Sequence, residues 1–184
     1  LGRYARFDDL QFSSLRAVPG WSDQAIPDPQ RGATQALSCP SCGAPVILRA
    51  AGLTMSAVCG SCGVLLDTSD TRLQLLNEVA AKKKILPLLP LGTRGTLFNV
   101  SWEVIGFLRR ADAYAAWFEY LLFDPWQGFR WLVFYQGHWS FVTTLLEQPA
   151  PQDTNKADYD GETYRLFARG KATVNYVLGE FYWQ

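Results

Sequence analysis

The 184-residue sequence has only one histidine and four cysteines, and its 17 basic side chains are balanced by 17 acidic ones. A formal net charge of zero leaves no basic excess for a nucleic-acid backbone, so we expect no nucleic-acid partner. No run of 18 apolar residues is present, which predicts no transmembrane segment, and the N-terminus lacks the pattern of a signal peptide. Any catalysis by a histidine base would have to use His138, which lies in a predicted turn and is more typical of an ordinary surface residue.

All four cysteines lie in two matched stretches, "CPSCGAPVI" at 39–47 and "CGSCGVLLD" at 59–67. In each stretch two residues separate a pair of thiols, and a glycine follows the second one. A Cys-x-x-Cys turn directs both sulfurs at one point, and sixteen residues between the pairs are typical of a ribbon with a four-cysteine site. Cys39, Cys42, Cys59 and Cys62 are therefore predicted to bind one Zn²⁺.

Four thiolates leave no position for water, so this Zn²⁺ is predicted to be structural rather than catalytic. Two redox dithiols or two disulfides are the alternatives, but neither explains the matched spacing or the repeated glycine. Paired thiols without further cysteines suit a reducing compartment, and we expect a cytoplasmic protein.

The stretch 39–67, called the cysteine module below, carries only one basic residue, Arg49, and one acidic residue, Asp67. A ribbon that binds phosphates needs several lysines or arginines. This apolar module instead needs a protein surface to pack against, either in the same chain or in a protein partner.

The second half of the chain alternates between aromatic or branched residues and polar ones, as strands do. Strands are predicted at 95–100, 102–109, 117–123, 129–135, 138–145, 162–168, 171–178 and 180–183. The clearest pair is a hairpin over 129–142 with Gln136-Gly137 at its turn. Both faces of these strands are apolar, which predicts a sheet covered on both sides or curled into a barrel or half-barrel.

The predicted fold is mainly β, in four parts. An extended segment (1–38) precedes the zinc ribbon (39–67), a helix or linker (68–90) follows, and an antiparallel β-meander occupies 91–184. Leucine spacing in 71–86 favours a short helix, which Pro87 would end. The acidic, proline-rich stretch 147–161 is predicted to be a loop.

Several charges interrupt the aromatic strands: Glu103, Arg109, Arg110, Glu119, Arg130 and Glu180. Glu119 and Arg130 lie in strands with two apolar faces, so a buried Glu119–Arg130 pair is predicted, because a buried charge needs a partner. A structural role suits this pair better than a catalytic one.

Aromatic side chains are dense enough to line a cavity for an apolar or cationic small molecule, although most such rings form the core. The tryptophans in or beside predicted strands are Trp102, Trp117, Trp126, Trp131, Trp139 and Trp183.

Six motifs of the second half, in this order, resemble a bacterial family described as domain of unknown function 4178. They are "PLGTRGTL" (90–97), "EVIGFLRR" (103–110), "WFEYLLFD" (117–124), "GFRWLVF" (128–134), "GHW" (137–139) and "VLGEFYW" (177–183). The resemblance implies a β-rich intracellular protein, often with a four-cysteine ribbon just upstream, and it carries over no catalytic residues.

The sequence therefore favours a zinc-binding, non-enzymatic interaction or scaffold protein with a protein partner. The alternative is a β-domain that binds a small-molecule ligand in an aromatic cavity.

Overall fold

The computed structural model of the chain describes residues 34–69, 74–78, 85–145, 147–167 and 169–183. These residues form only strands and connections, and none of them forms a helix that could cross a membrane. The first five strands are β1 (Gln35–Ser38), β2 (Pro45–Leu48), β3 (Ser56–Val58), β4 (Val64–Asp67) and β5 (Gln74–Glu78). The next five are β6 (Arg94–Leu97), β7 (Val100–Ala111), β8 (Ala116–Asp124), β9 (Gly128–Tyr135) and β10 (His138–Val142). The last four are β11 (Ala150–Asp153), β12 (Lys156–Tyr159), β13 (Glu162–Arg165) and β14 (Thr173–Phe181).

Nine strands form one antiparallel main sheet in the order β10-β9-β8-β7-β14-β3-β4-β5, with β6 paired to β7 beside this path. Strands β1 and β2 form a separate pair, and β11–β13 form a three-stranded sheet. The mainly β, antiparallel prediction is confirmed. The described part of the main sheet is open, since β10 and β5 end its order, so a closed barrel is not what these strands form.

Strand β14 joins the two halves of the chain. It pairs with β7 on one side and with β3 on the other, placing Gly179 opposite both Gly106 and Val58. The cysteine module thus continues the sheet of the second half.

A pair of glycines allows this close packing. A Cβ on Gly106 would lie 2.5 Å from the carbonyl oxygen of Glu180, and one on Gly179 would lie 2.2 Å from that of Ile105. No side chain fits at such distances, so both positions require glycine. The predicted break between 178 and 180 is wrong for the same reason: Gly179 marks a close approach inside one strand.

Both faces of the central strands β7 and β8 are covered, as predicted, whereas β9 is half-buried and β10 is mostly exposed. One face buries Ile105, Leu108 and Leu121 under Ala50 and Leu53 of the cysteine module. The other face buries the aromatic side chains of Trp102, Phe107, Tyr120 and Tyr176. Ile85, Leu89 and Leu91 of the stretch 85–91 pack against them.

The hairpin at Gln136-Gly137 is confirmed, with φ angles of 47° and 83° and His138 paired to Tyr135. The turn between β6 and β7 falls at Phe98-Asn99, whereas the sequence predicted a break at residue 101. The stretch 147–161, which was predicted to be a loop, contains β11 and β12.

The predicted helix over 71–86 is wrong where the structure describes it. Gln74–Glu78 form β5 and pair with β4, whose edge would otherwise lack a neighbour, so tertiary pairing overrides helix propensity. The rest of this helix, up to residue 84, lies outside the described residues. So does the predicted extended segment up to residue 33, and Gln35–Ser38 beyond it form β1.

Candidate metal centre

Two turns of matching geometry carry the four cysteines. In the first, the Gly43 N–H donates to the Cys39 carbonyl at 2.8 Å, and the Cys39 N–H donates to the Ala44 carbonyl at 2.8 Å. In the second turn Gly63, Cys59 and Val64 make the equivalent bonds at 2.8 and 2.9 Å. Gly43 and Gly63 have φ angles of 73° and 77°, which glycine adopts without strain. The repeated glycine therefore reflects one backbone shape used twice.

The four sulfur atoms converge on one point. Cys39 Sγ lies 3.8 Å from Cys62 Sγ, and Cys42 Sγ lies 3.7 Å from Cys59 Sγ. All four sulfurs lie within 4.8 Å of one another. Four sulfurs placed 2.3 Å from a central Zn²⁺ at tetrahedral angles would be separated by about 3.8 Å. The cluster therefore has the dimensions of a four-cysteine metal site.

The same distances argue against the two alternatives to metal binding. A disulfide needs its sulfurs about 2.05 Å apart, and all four cysteines are free thiols here. The short contacts also link one turn to the other, whereas two independent Cys-x-x-Cys dithiols would pair within each turn.

The cluster lies at the surface of the module with one side buried. Cys39 and Cys59 are 2% and 1% exposed, whereas Cys42 and Cys62 are exposed to solvent. The Val64 N–H and the neighbouring sulfurs lower the pKa of Cys62 to about 7, against the effect of desolvation. The Ala44 N–H acts in the same direction on Cys42, but the neighbouring thiols and desolvation outweigh it and raise the pKa of Cys42 to about 12. The Cys62 thiolate thus forms readily, and a bound cation would favour loss of the Cys42 proton.

Glu180 of β14 binds the turn that connects the two cysteine pairs. Its side chain is 1% exposed and accepts hydrogen bonds from the Arg49 N–H at 2.5 Å and the Ala50 N–H at 3.1 Å. The Thr54 hydroxyl donates a third bond at 3.2 Å. Desolvation raises the pKa of Glu180 above its usual 4.5, although these donors and the charge of Arg49 oppose the shift. A buried carboxyl of the second half therefore positions the cysteine module.

Arg49 makes a second link between the two halves. Its Nε lies 3.2 Å from Glu103 Oε1, and Arg94 lies 2.8 Å from the other oxygen of the same carboxylate. The only basic residue of the module thus faces the sheet in an ion pair rather than forming a patch for phosphates.

The predicted Glu119–Arg130 pair is wrong. Glu119 instead pairs with Arg110 at 3.0 Å and accepts the Trp117 indole N–H at 2.7 Å. Arg130 donates to two backbone carbonyls and lies 5.8 Å from the ring centre of Trp102. Glu119 faces Val133 across β8 and β9, so register keeps Arg130 away from it. His138 is exposed on β10, and the metal-ligand cluster found among the described residues contains only the four cysteines.

The six tryptophans of the predicted strands do not line one shared cavity in the described part of the chain. Trp102 is buried in the core and Trp126 is 74% exposed, while Trp131 and Trp183 line an open hollow beside Tyr182.

The sequence places Glu180 among the charges that interrupt the aromatic strands, but it did not predict that this carboxyl contacts the cysteine module. The available signal was its setting in "VLGEFYW", where a charge follows glycine inside an otherwise apolar run.

Comparison with known proteins places the second half of the chain in a family. No curated protein and no solved structure matches the chain. Residues 90–184, just over half of the chain, match the family described as "Domain of unknown function (DUF4178)". The chain thus belongs to the DUF4178 family, with four clustered cysteines upstream of the family domain as in a zinc ribbon.

Proposed function

We propose that this chain is a zinc-binding, non-enzymatic scaffold protein, in which one structural Zn²⁺ on Cys39, Cys42, Cys59 and Cys62 fixes the shape of the cysteine module that packs against the family domain. The observation that carries the proposal is the separation of 3.7–3.8 Å between sulfurs of opposite turns. A Zn²⁺ there would supply a fixed tetrahedral cross-link and no reactive water, because four thiolates complete its coordination.

A scaffold role is supported by where the reactive side chains lie. The four cysteines are the only thiols of the chain, and all belong to the cluster. The single histidine is exposed on β10. A small module buries too little apolar area to be stable without a cross-link. A structural Zn²⁺ can supply it, because apparent zinc binding contributes about 10–16 kcal/mol in zinc-finger peptides.

The proposed partner is a protein that adds an extended strand to β10, in the cytoplasm. β10 ends the described order of the main sheet, so one side of its backbone is free of a neighbouring strand among the described residues. Trp139 and Val142 on this strand are 43% and 41% exposed. An exposed edge with apolar side chains is the surface that strand addition uses. Nucleic acid is not proposed, because Arg49 is paired with Glu103.

The zinc site is tested with two serine variants of different burial. Cys39 is 2% exposed and Cys42 is exposed, so simple packing of thiols would make Cys39→Ser costly and Cys42→Ser harmless. A shared metal predicts instead that both variants lose zinc, from about one equivalent per chain to a small fraction of one, because each removes a ligand. Elemental analysis of the purified full chain measures this. Full zinc content in Cys42→Ser, or a wild-type chain that folds without zinc, would overturn the proposal.

Strand addition to β10 is tested separately. Tyr135 and His138 form the hydrogen-bonded pair that closes the two-residue turn, so the Phe141 N–H faces away from β9. Phe141→Pro removes this outward-facing donor of the edge strand, while Phe141→Ala removes the same ring and keeps the donor. Partners recovered by cross-linking to the wild type should be lost only in the first variant at equal zinc content. Equal recovery with both would exclude β10 as the interface.

A further inference from the structure

A hollow of about 310 Å³ opens on one face of the main sheet. Aromatic rings from two separate parts of the chain form most of its wall: Trp131 from β9, and Tyr182 and Trp183, which follow β14. The rings of Trp131 and Trp183 lie 5.3 Å apart, and the Trp131 indole N–H donates to the Tyr182 hydroxyl at 3.1 Å. The wall therefore consists of aromatic rings that hold one another in place, and flat ring systems stack on such rings.

The polar end of the hollow carries no net charge. Arg110 and Glu119 lie there and form an ion pair at 3.0 Å through the Arg110 Nε. A charged ligand would compete with this pair. A neutral ligand with adjacent donor and acceptor atoms could bind beside it, since the guanidinium has further N–H groups and the carboxylate has further lone pairs.

The aromatic wall is positioned by the cysteine module. The Ser56 hydroxyl donates to the Trp183 carbonyl at 2.5 Å, and the Met55 N–H donates to the Phe181 carbonyl at 2.9 Å. Ser56 begins β3, and Cys59 follows this strand directly. Two residues, Ala57 and Val58, thus separate a proposed metal ligand from the serine that bonds to Trp183.

We propose that this hollow binds a neutral, flat, two-ring heteroaromatic compound with an amide-type edge, and that the metal-loaded cysteine module sets the position of its aromatic wall. The second part rests on the zinc site proposed above. Stacking on Trp131 and Tyr182 supplies the contact area, and the Arg110–Glu119 pair reads the amide edge. Metal and ligand then favour each other's binding, because both require the same arrangement of β3 and the residues after β14.

The probe for the hollow is 2-quinolone, a neutral bicyclic lactam, titrated into the zinc-loaded full chain by ligand-observed NMR. Trp131→Ala should weaken binding about tenfold, as loss of a central aromatic contact does. Trp126→Ala, at a tryptophan outside the hollow, should leave the Kd unchanged. Absence of 2-quinolone binding, or equal weakening by both variants, would overturn the proposal.

Two charged probes test the ligand class. N-methylquinolinium and 2-naphthoate have similar ring areas but carry a positive and a negative charge. Both should bind at least about tenfold more weakly than 2-quinolone, since neither fits a corner whose charges are already paired. Tighter binding of either ion would overturn the assignment of a neutral ligand.

Ser56→Ala tests the coupling without removing a metal ligand. This variant should keep one equivalent of zinc and weaken 2-quinolone binding about fivefold, because Trp183 loses its hydroxyl bond. Saturating 2-quinolone should likewise slow zinc transfer to a chelator in the wild type. An unchanged Kd in zinc-loaded Ser56→Ala would overturn the coupling. Zinc-free wild type that still binds 2-quinolone through Trp131 would instead contradict the zinc site and leave the hollow supported.

Discussion

The cysteine module and the aromatic half of the main sheet (β7–β10 and β14) form their cores from different side chains. The core of the module contains only small or medium side chains: Cys39, Val46, Leu48, Ala51, Ala57, Cys59, Val64 and Leu66. The aromatic half buries Trp102, Phe107 and Tyr120 and packs further rings around them. Aromatic side chains bury much more apolar surface per residue than these smaller ones do, so the aromatic half is stabilised by its own core. The module buries less and depends on a cross-link.

Removal of the metal should separate the two regions most clearly. With excess chelator, backbone amides of β2–β4 should lose protection from hydrogen exchange, while those of β7–β9 should keep it. Hydrogen exchange followed by mass spectrometry measures both regions in one sample. Simultaneous loss of protection in β7–β9 would show that the chain is one cooperative unit and that the contrast between the cores has no consequence.

A cavity in the aromatic core should act in the opposite way. Phe107 is fully buried, with its ring centre 5.1 Å from that of Tyr120 and 5.5 Å from that of Phe118. Phe107→Ala should lower the free energy of unfolding by about 3–5 kcal/mol, with no change in zinc content. Urea denaturation followed by tryptophan fluorescence measures this, and Phe167→Ala, at a fully exposed ring, is the matched control with an effect near zero. Equal effects of the two substitutions would contradict the assigned core.

The link between the two regions should be intermediate in strength. Glu180→Ala removes the acceptor of the Arg49 and Ala50 N–H groups, and leaves the Thr54 hydroxyl only its bond to the Ala50 carbonyl. We expect a loss of about 3 kcal/mol in unfolding free energy and faster zinc release to a chromogenic chelator. Glu162→Ala on exposed β13 is the control. A chain that tolerates Glu180→Ala would show that the module attaches through β3 alone.

The smallest expected effect is the pH dependence of this link. Because burial raises the folded-state pKa of Glu180, the folded chain binds the proton more tightly than the unfolded chain. Its contribution to stability is therefore most favourable below pH 4.5, the usual carboxyl value, and is lost as pH rises through the raised folded pKa. The stability of wild type relative to Glu180→Gln should fall over this window, by at most about 1.4 kcal/mol per unit of pKa shift. Measurement of the difference between the two chains cancels the shared pH dependence of the thiols. A difference that rises with pH would contradict the sign.

Local patterns predicted the parts of the molecule that local chemistry determines. Cysteine spacing predicted the cluster, and alternation with Gln136-Gly137 predicted the hairpin of β9 and β10, because turn geometry fixes register over two residues. Strand β5 was not predicted, because the spacing of its leucines fits a helix equally well. The strand conformation is determined by pairing with β4, which forms only when the chain folds. Gly179 was read as a break because the close approach of Gly106 comes from a residue 73 positions earlier. The partner of Glu119 was missed because it lies on β7, diagonal to Glu119: the turn between β7 and β8 places Leu108 opposite Glu119 and Arg110 opposite Trp117.

The central place of β14 also has a consequence for how the chain reaches its native state. Its neighbours in the sheet, β3 and β7, are made long before it: Ala57 pairs with Glu180, and Phe107 with Leu178. During synthesis on the ribosome the two halves must wait, each with an unpaired edge, until this strand emerges. High contact order of this kind slows folding and prolongs the interval in which such edges can aggregate. A cation captured early by the four thiols would fold the half that is made first, while the open edge of its β3 still waits for β14.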